Sequence, residues 1–105
     1  MMDRTLERHR VHAKLRAVLG TNDVYYQPPS SIKMKYPCIV YTLSDIDIDH
    51  ANGSAYKHKY KYTVTIIDHN PDSILPDAIL ELPFCSWDRS YTADNLNHFV
   101  FTLYR

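Results

Sequence analysis

Residues 36 to 68, YPCIVYTLSDIDIDHANGSAYKHKYKYTVTIID, contain two strand-length runs around Asn52-Gly53-Ser54, and no other stretch restricts the fold as tightly. In the second run Tyr56, His58, Tyr60, Tyr62, Val64 and Ile66 fall on one face of a strand, and Lys57, Lys59, Lys61, Thr63 and Thr65 on the other. One face is apolar and aromatic; the other is basic. The first run alternates as well, but its phase changes. Ile39, Tyr41 and Leu43 are odd-numbered, whereas Ile46 and Ile48 are even-numbered, with Asp45, Asp47 and Asp49 between and beside them.

Register accounts for the change, because a one-residue slip sends every side chain of a strand to the opposite face. A two-residue Asn52-Gly53 turn would set Asp49 against Tyr56 and Ile48 against Lys57, apolar groups against charges. A three-residue loop, Asn52 to Ser54, with Gly53 or its neighbour left-handed, sets Asp49 against Lys57, Asp47 against Lys59 and Asp45 against Lys61. It also opposes Ile48 to His58 and Ile46 to Tyr60. Each cross-strand pair of this kind contributes about 0.2–1 kcal/mol, enough together to choose the register. A one-residue bulge near Ser44 then restores Leu43 to Tyr62, Tyr41 to Val64 and Ile39 to Ile66. The expectation is a long, bent, bulged hairpin.

A chain of 105 residues supports one core, and nothing in it suggests a second. Twelve Lys and Arg balance twelve Asp and Glu, so no global charge draws it to nucleic acid or to an anionic membrane. The N-terminus lacks the apolar run of a signal peptide and no stretch reaches transmembrane length, an expectation of a cytoplasmic, non-membrane protein. Cys38 and Cys85 lie far apart in apolar segments and read as buried free thiols.

Residues 3 to 19, within an N-terminal segment 1–20, read as a basic helix capped by Asp3 or Thr5 and ended by Gly20. Its apolar stripe is Leu6, Val11, Ala13, Leu15, Val18 and Leu19; Arg4, Arg8, Arg10, Lys14 and Arg16 make a solvated face. Val24-Tyr25-Tyr26 forms a short strand before Pro28-Pro29 and a polar loop. After the hairpin, a turn at residues 68–73 leads to a helix over 72–82, N-capped by Asp72 or Ser73, with Pro76 in its first turn and Pro83 closing it. Residues 84–104 form a second hairpin turning at Ala93-Asp94-Asn95, with Phe99, Phe101 and Leu103 on one face. The order predicts a single α+β domain built on an antiparallel sheet, with the short second helix packed on it.

Candidate chemistry is sparse. The Asp68-His69-Asn70-Pro71-Asp72 cluster holds what a turn and a helix cap require. Cys85 and His98 suggest a nucleophile and base for a small hydrolase, but no orienting group or oxyanion loop accompanies them. The run Asp45, Asp47, Asp49 imitates a cation site, yet it recurs at strand spacing and faces lysines. Lys57, Lys59 and Lys61 interleaved with tyrosines suggest a single-strand nucleic-acid module, but phosphate and base would then need opposite faces of the strand. Two glycines leave no phosphate loop. No catalytic, cofactor-binding or metal-binding residue is assigned, and surfaces become the candidate site: Asp45, Asp47, Asp49, Lys57, Lys59 and Lys61.

Three stretches carry a family resemblance: Tyr36-Pro37-Cys38-Ile39-Val40-Tyr41, Tyr62-Thr63-Val64-Thr65-Ile66-Ile67-Asp68, and Asp94-Asn95-Leu96-Asn97-His98 through Leu103-Tyr104. With the N-terminal helix and polar loop, the chain resembles the tail terminator, or tail completion, proteins of long-tailed bacteriophages and prophages. The resemblance implies a non-enzymatic virion protein without cofactor, assembled in the bacterial cytoplasm as a hexameric ring on the head-proximal end of the tail tube. Such a ring ends tube polymerisation and joins the tail to the head. Its implied partners are copies of itself, the tail tube protein, a head-neck connector protein, and DNA passing through the lumen without sequence readout. A head-completion or neck adaptor protein is the alternative. The six alternating charges are then expected at subunit boundaries or along the channel.

Overall fold

The computed structural model describes the backbone of residues 4–51 and 54–105 and the side chains of residues 5–46 and 59–105. Its elements are α1 (Arg4–Leu19), β1 (Val24–Tyr26), β2 (Cys38–Ala51), β3 (Ser54–Asp68), α2 (Leu75–Ile79), β4 (Cys85–Ala93) and β5 (Leu96–Tyr104). The strands form one sheet in the order β1-β2-β3-β5-β4. The α+β class is as the sequence predicts, with one refinement: β1 runs parallel to β2, pairing Val24 with Ile39 and Tyr26 with Tyr41. The sheet is therefore mixed. The remaining neighbours, β2–β3, β3–β5 and β5–β4, are antiparallel.

Alternation along the strands decides which face is covered. Ile39, Tyr41, Tyr60, Tyr62, Val64, Ile66, Phe101 and Leu103 are buried together with Val11 and Leu15 of α1 and Ile79 of α2. Val11 and Leu15, one turn apart, carry the helix contact, with Val18 and Leu19 at the margin. The first half of the expected stripe does not take part, since Leu6 and Ala13 are exposed. Gly20 ends α1 as predicted. Its φ of 84° is left-handed and its N–H donates to the carbonyl of Arg16 at 2.8 Å, satisfying one of the carbonyls that a helix end leaves open. Thr5 lies inside the helix and so is not its cap, while Asp3 lies outside the described residues.

The opposite face carries a smaller cluster at one end, where Cys38, Ile67 and Leu96 pack with Tyr25, Met34, Tyr36 and Val40. The polar loop after β1 thus folds back to cover part of the sheet. The second helix is shorter than the expected 72–82. It spans Leu75–Ile79, its N-cap is Ile74 and not Asp72 or Ser73, and Pro76 sits within its first two positions. Ser73 Oγ instead accepts from the Leu75 N–H at 3.3 Å, a local turn that replaces a cap. The C-terminal hairpin is tighter than expected. Ala93 pairs with Leu96, leaving Asp94 and Asn95 (φ 53° and 62°) as a two-residue turn of the primed kind.

Candidate interaction surface on the long hairpin

The register of β2 and β3 is the one that the charges select. Asp45 stands opposite Lys61, Asp47 opposite Lys59, Asp49 opposite Lys57, Ile46 opposite Tyr60 and Ile48 opposite His58. Ser44 is the extra residue between the Leu43–Tyr62 and Asp45–Lys61 pairs, and its hydroxyl donates to the Lys61 carbonyl at 3.0 Å. The bulge keeps Leu43 and Ile46 on the same face although they are three positions apart. The three-residue loop is corrected. Ser54 belongs to β3 and pairs with Ala51, and the offset is absorbed two pairs further in, between Asp49–Lys57 and His50–Ala55, where Tyr56 is left over. Both arrangements give one register from Lys57 inward. The left-handed residue expected at Gly53 or Asn52 lies outside the described residues.

The hairpin outruns its sheet. The ladder with β5 begins at Lys61 and extends to Asp68, so Ser54–Tyr60 has β2 as its only ladder partner among the described residues. Tyr60 still exchanges backbone bonds with Arg105, its N–H donating to the Arg105 carbonyl at 2.6 Å and its carbonyl accepting at 2.8 Å. On the other side β1 reaches only Tyr41, after which the Gln27 N–H donates to the Tyr41 carbonyl at 3.0 Å and Gln27 Oε1 accepts from the Leu43 N–H at 3.2 Å. Past these two caps neither edge of the ribbon has a ladder partner among the described residues. Seven residues at about 3.3 Å each make an arm of roughly 20 Å, and the molecule is 51 Å long against 26 and 23 Å.

Among the described residues, the facing charges at the foot of the arm do not pair. The Asp45 carboxylate accepts from the Ile46 N–H at 2.8 Å. The described residues include no ion pair between Asp45 and Lys61. Lys59 is exposed, and Lys61 is half-buried on the same face of β3. Tyr60 and Tyr62 on the other face are buried in the core, so they offer no platform for a stacked base.

Sequence reasoning missed two groups of residues. Phe84, at φ 61° and 71% exposed, immediately precedes β4 beside the foot of the arm, where Lys59, Phe84, Tyr104 and Arg105 line a notch of about 220 Å³. A bulky residue in the left-handed region has no signature in composition; the Phe84 carbonyl accepts from the Tyr104 N–H at 3.0 Å in that conformation. The second group fastens α1 to the sheet. His12 Nδ1 shares a hydrogen bond of 2.8 Å with the Tyr41 hydroxyl, Tyr41 lies 4.9 Å from Tyr26 and 6.0 Å from Tyr62, and the Arg8 guanidinium sits 4.7 Å over Tyr26. Burial, followed by the cations Arg16 and Arg8, holds the His12 pKa below its ordinary value. Burial also raises Tyr62, to about 12, and its hydroxyl has no hydrogen-bond partner among the described residues.

The alternative chemistries are not assembled. Cys85 pairs across to Leu103 and packs in the helix-covered core, whereas His98 pairs with Ile67 and Tyr91 on the opposite face and stacks on the Tyr91 ring at 4.6 Å. Burial raises the Cys85 thiol pKa and pushes that of Cys38 to about 12, the reverse of nucleophile activation. Both cysteines are free. In the cluster at 68–72, Asp68 Oδ1 accepts from the Asn70 N–H at 3.1 Å and Asn70 Oδ1 from the Asp72 N–H at 2.9 Å, two successive side-chain turns. Among the described residues no three His, Cys, Asp or Glu converge as a cation site, and no helix is long and apolar enough to cross a membrane. Compared with known proteins, the chain matches no family model and no curated protein sequence.

Proposed function

We propose that the protein is a structural subunit of a phage or prophage tail, assembling as a ring on the head-proximal end of the tail tube, where it stops tube growth and presents a surface for head joining. The reading makes it a virion component without enzymatic chemistry. Its partners are further copies of the chain, the tube protein, a connector on the head side, and DNA passing through the lumen.

The observation that supports this most is the arm. A domain with its core between α1, α2 and the sheet gains little from about 20 Å of two-stranded ribbon beyond that core, and an isolated ribbon is marginal in water. Such an arm is useful when something else completes it. A ring also uses two different surfaces on each subunit, which suits a ribbon whose two strands carry opposite charges and whose two edges differ.

The test is tube growth in vitro. Added to polymerising tail tube protein, the chain is expected to bind tube ends and fix tube length at substoichiometric amounts. Tubes that grow unchanged, with no protein at their ends, contradict the reading. Binding to DNA-filled heads in place of tubes reassigns the chain to head completion.

A further inference from the structure

We infer that the arms of neighbouring copies pair edge to edge, the open edge of β2 in one copy against the open edge of β3 in the next, and so close into a continuous antiparallel β-barrel. The inference rests on the ring reading and goes beyond it by naming the surface that holds the ring and the bonds that form.

Three observations lead there. First, the arm has two open edges and they are not equivalent. The β3 edge opens where Arg105 stops pairing with Tyr60, and the β2 edge opens beyond the Gln27 contact to Leu43. A contact between two different edges is heterologous, and repeated by rotation it forms a closed ring; contacts between like edges would stop at a pair. Closure also removes every open edge, which a lone arm leaves as a row of unpaired N–H and C=O groups.

Second, the strand directions agree. β2 and β3 are antiparallel within one copy. Rotation about an axis roughly along the arm keeps all β2 strands pointing one way and all β3 strands the other, so each contact between copies is antiparallel like the one within. All Asp and Lys register positions of the arm then lie on one surface of the barrel.

Third, the charges favour this order. Asp45, Asp47 and Asp49 occupy alternate positions of β2, and Lys57, Lys59 and Lys61 occupy those of β3 on the same face. In a barrel of alternating β2 and β3, each acidic strand lies between two basic strands, one its own and one from the neighbour. Pairing β2 with β2, or β3 with β3, would place like charges opposite each other, which is unfavourable. Lys59, exposed and free of ion pairs among the described residues, is placed to meet a neighbour's acidic strand. Phe84 and the notch it shares with Lys59, Tyr104 and Arg105 lie at the start of the β3 edge, where the neighbour would cover them.

The experiment is native mass spectrometry with amide hydrogen exchange on the full chain alone, from micromolar to millimolar concentration. The expected result is one closed oligomer in which amides of both β2 and β3 in the arm are protected, against a dilute monomer in which the outward-facing half exchange freely. Replacing residues 47–57 by a short Gly-Asn-Gly turn should abolish the oligomer while the helix and sheet signals of circular dichroism persist. An oligomer whose arm edges still exchange freely overturns the barrel and leaves the ring reading standing. A chain that stays monomeric throughout overturns self-closure of the arms, and the terminator reading then stands or falls on the tube-length assay.

Discussion

The two halves of the long hairpin have the same alternation and opposite circumstances. At its base, Cys38–Leu43 pairs with Tyr62–Ile67 and is flanked by β1 on one side and β5 on the other, under α1 and α2. Beyond the Lys61–Tyr104 pair and the Tyr60–Arg105 backbone bonds, the two strands have only each other as ladder partners among the described residues. The base is fixed by burial, so its register cannot slip without exposing Ile39, Tyr41, Val64 and Ile66. The arm inherits that register through the bulge, and in that register its Asp and Lys positions stand opposite each other. Burial specifies the fold at one end; at the other, the proposed contact rests on the pattern of charge.

The largest expected effect breaks the base. Phe101→Ala, at a fully buried position against Val64, should cost about 3–5 kcal/mol in denaturant unfolding. Truncating the arm by replacing residues 47–57 should cost the monomer far less, while removing assembly altogether in sizing or native mass spectrometry. Lys59→Glu with Lys61→Glu should likewise weaken assembly, with the monomer changed by roughly 1 kcal/mol or less, as for exposed charges; an unchanged ring would count against the charge argument.

Deleting Ser44 sharpens the comparison further. The Leu43–Tyr62 and Asp45–Lys61 pairs then become consecutive, so both faces keep their residues and only the bend and the 3.0 Å bond to the Lys61 carbonyl are lost. Folding stability should change by about 1 kcal/mol, whereas assembly should suffer because the arm is re-aimed. Equal losses in both would show that the bulge serves the base.

The smallest effect concerns pH. The folded pKa of His12 is depressed, chiefly by burial and then by Arg16 and Arg8, so the native state disfavours its charged form. The unfolded chain binds the proton more readily, and stability is therefore full above the ordinary value of 6.5 and declines as pH falls below it. Thermal unfolding should show a lower midpoint at pH 5.5 than at pH 7.5, and His12→Gln should flatten that difference.

The hairpin was legible in the sequence because two independent patterns, apolar alternation and opposed charge, agree on one register. The loop length was not, since a three-residue loop and a two-residue connection with Tyr56 left over produce the same pairing from Lys57 inward. The parallel placement of β1 had no local signal: three residues pair with β2 only because α1 and the loop deliver them there. The second helix is shorter than its apolar spacing suggests because that spacing continues past the point where turns replace helical bonds, Leu82 N–H donating to the Ile79 carbonyl at 3.0 Å. Of the surface, the charged positions were legible, but Phe84 was not, because its exposure and left-handed backbone arise from the junction of α2, β4 and β5.

The central claim is that the arm, and not the sheet, carries assembly. It is tested most directly by native mass spectrometry of the intact chain beside the arm-truncated one. The account predicts a closed ring, a hexamer on the terminator reading, for the intact chain and a folded monomer for the truncated one. The same assembly state in both would contradict it.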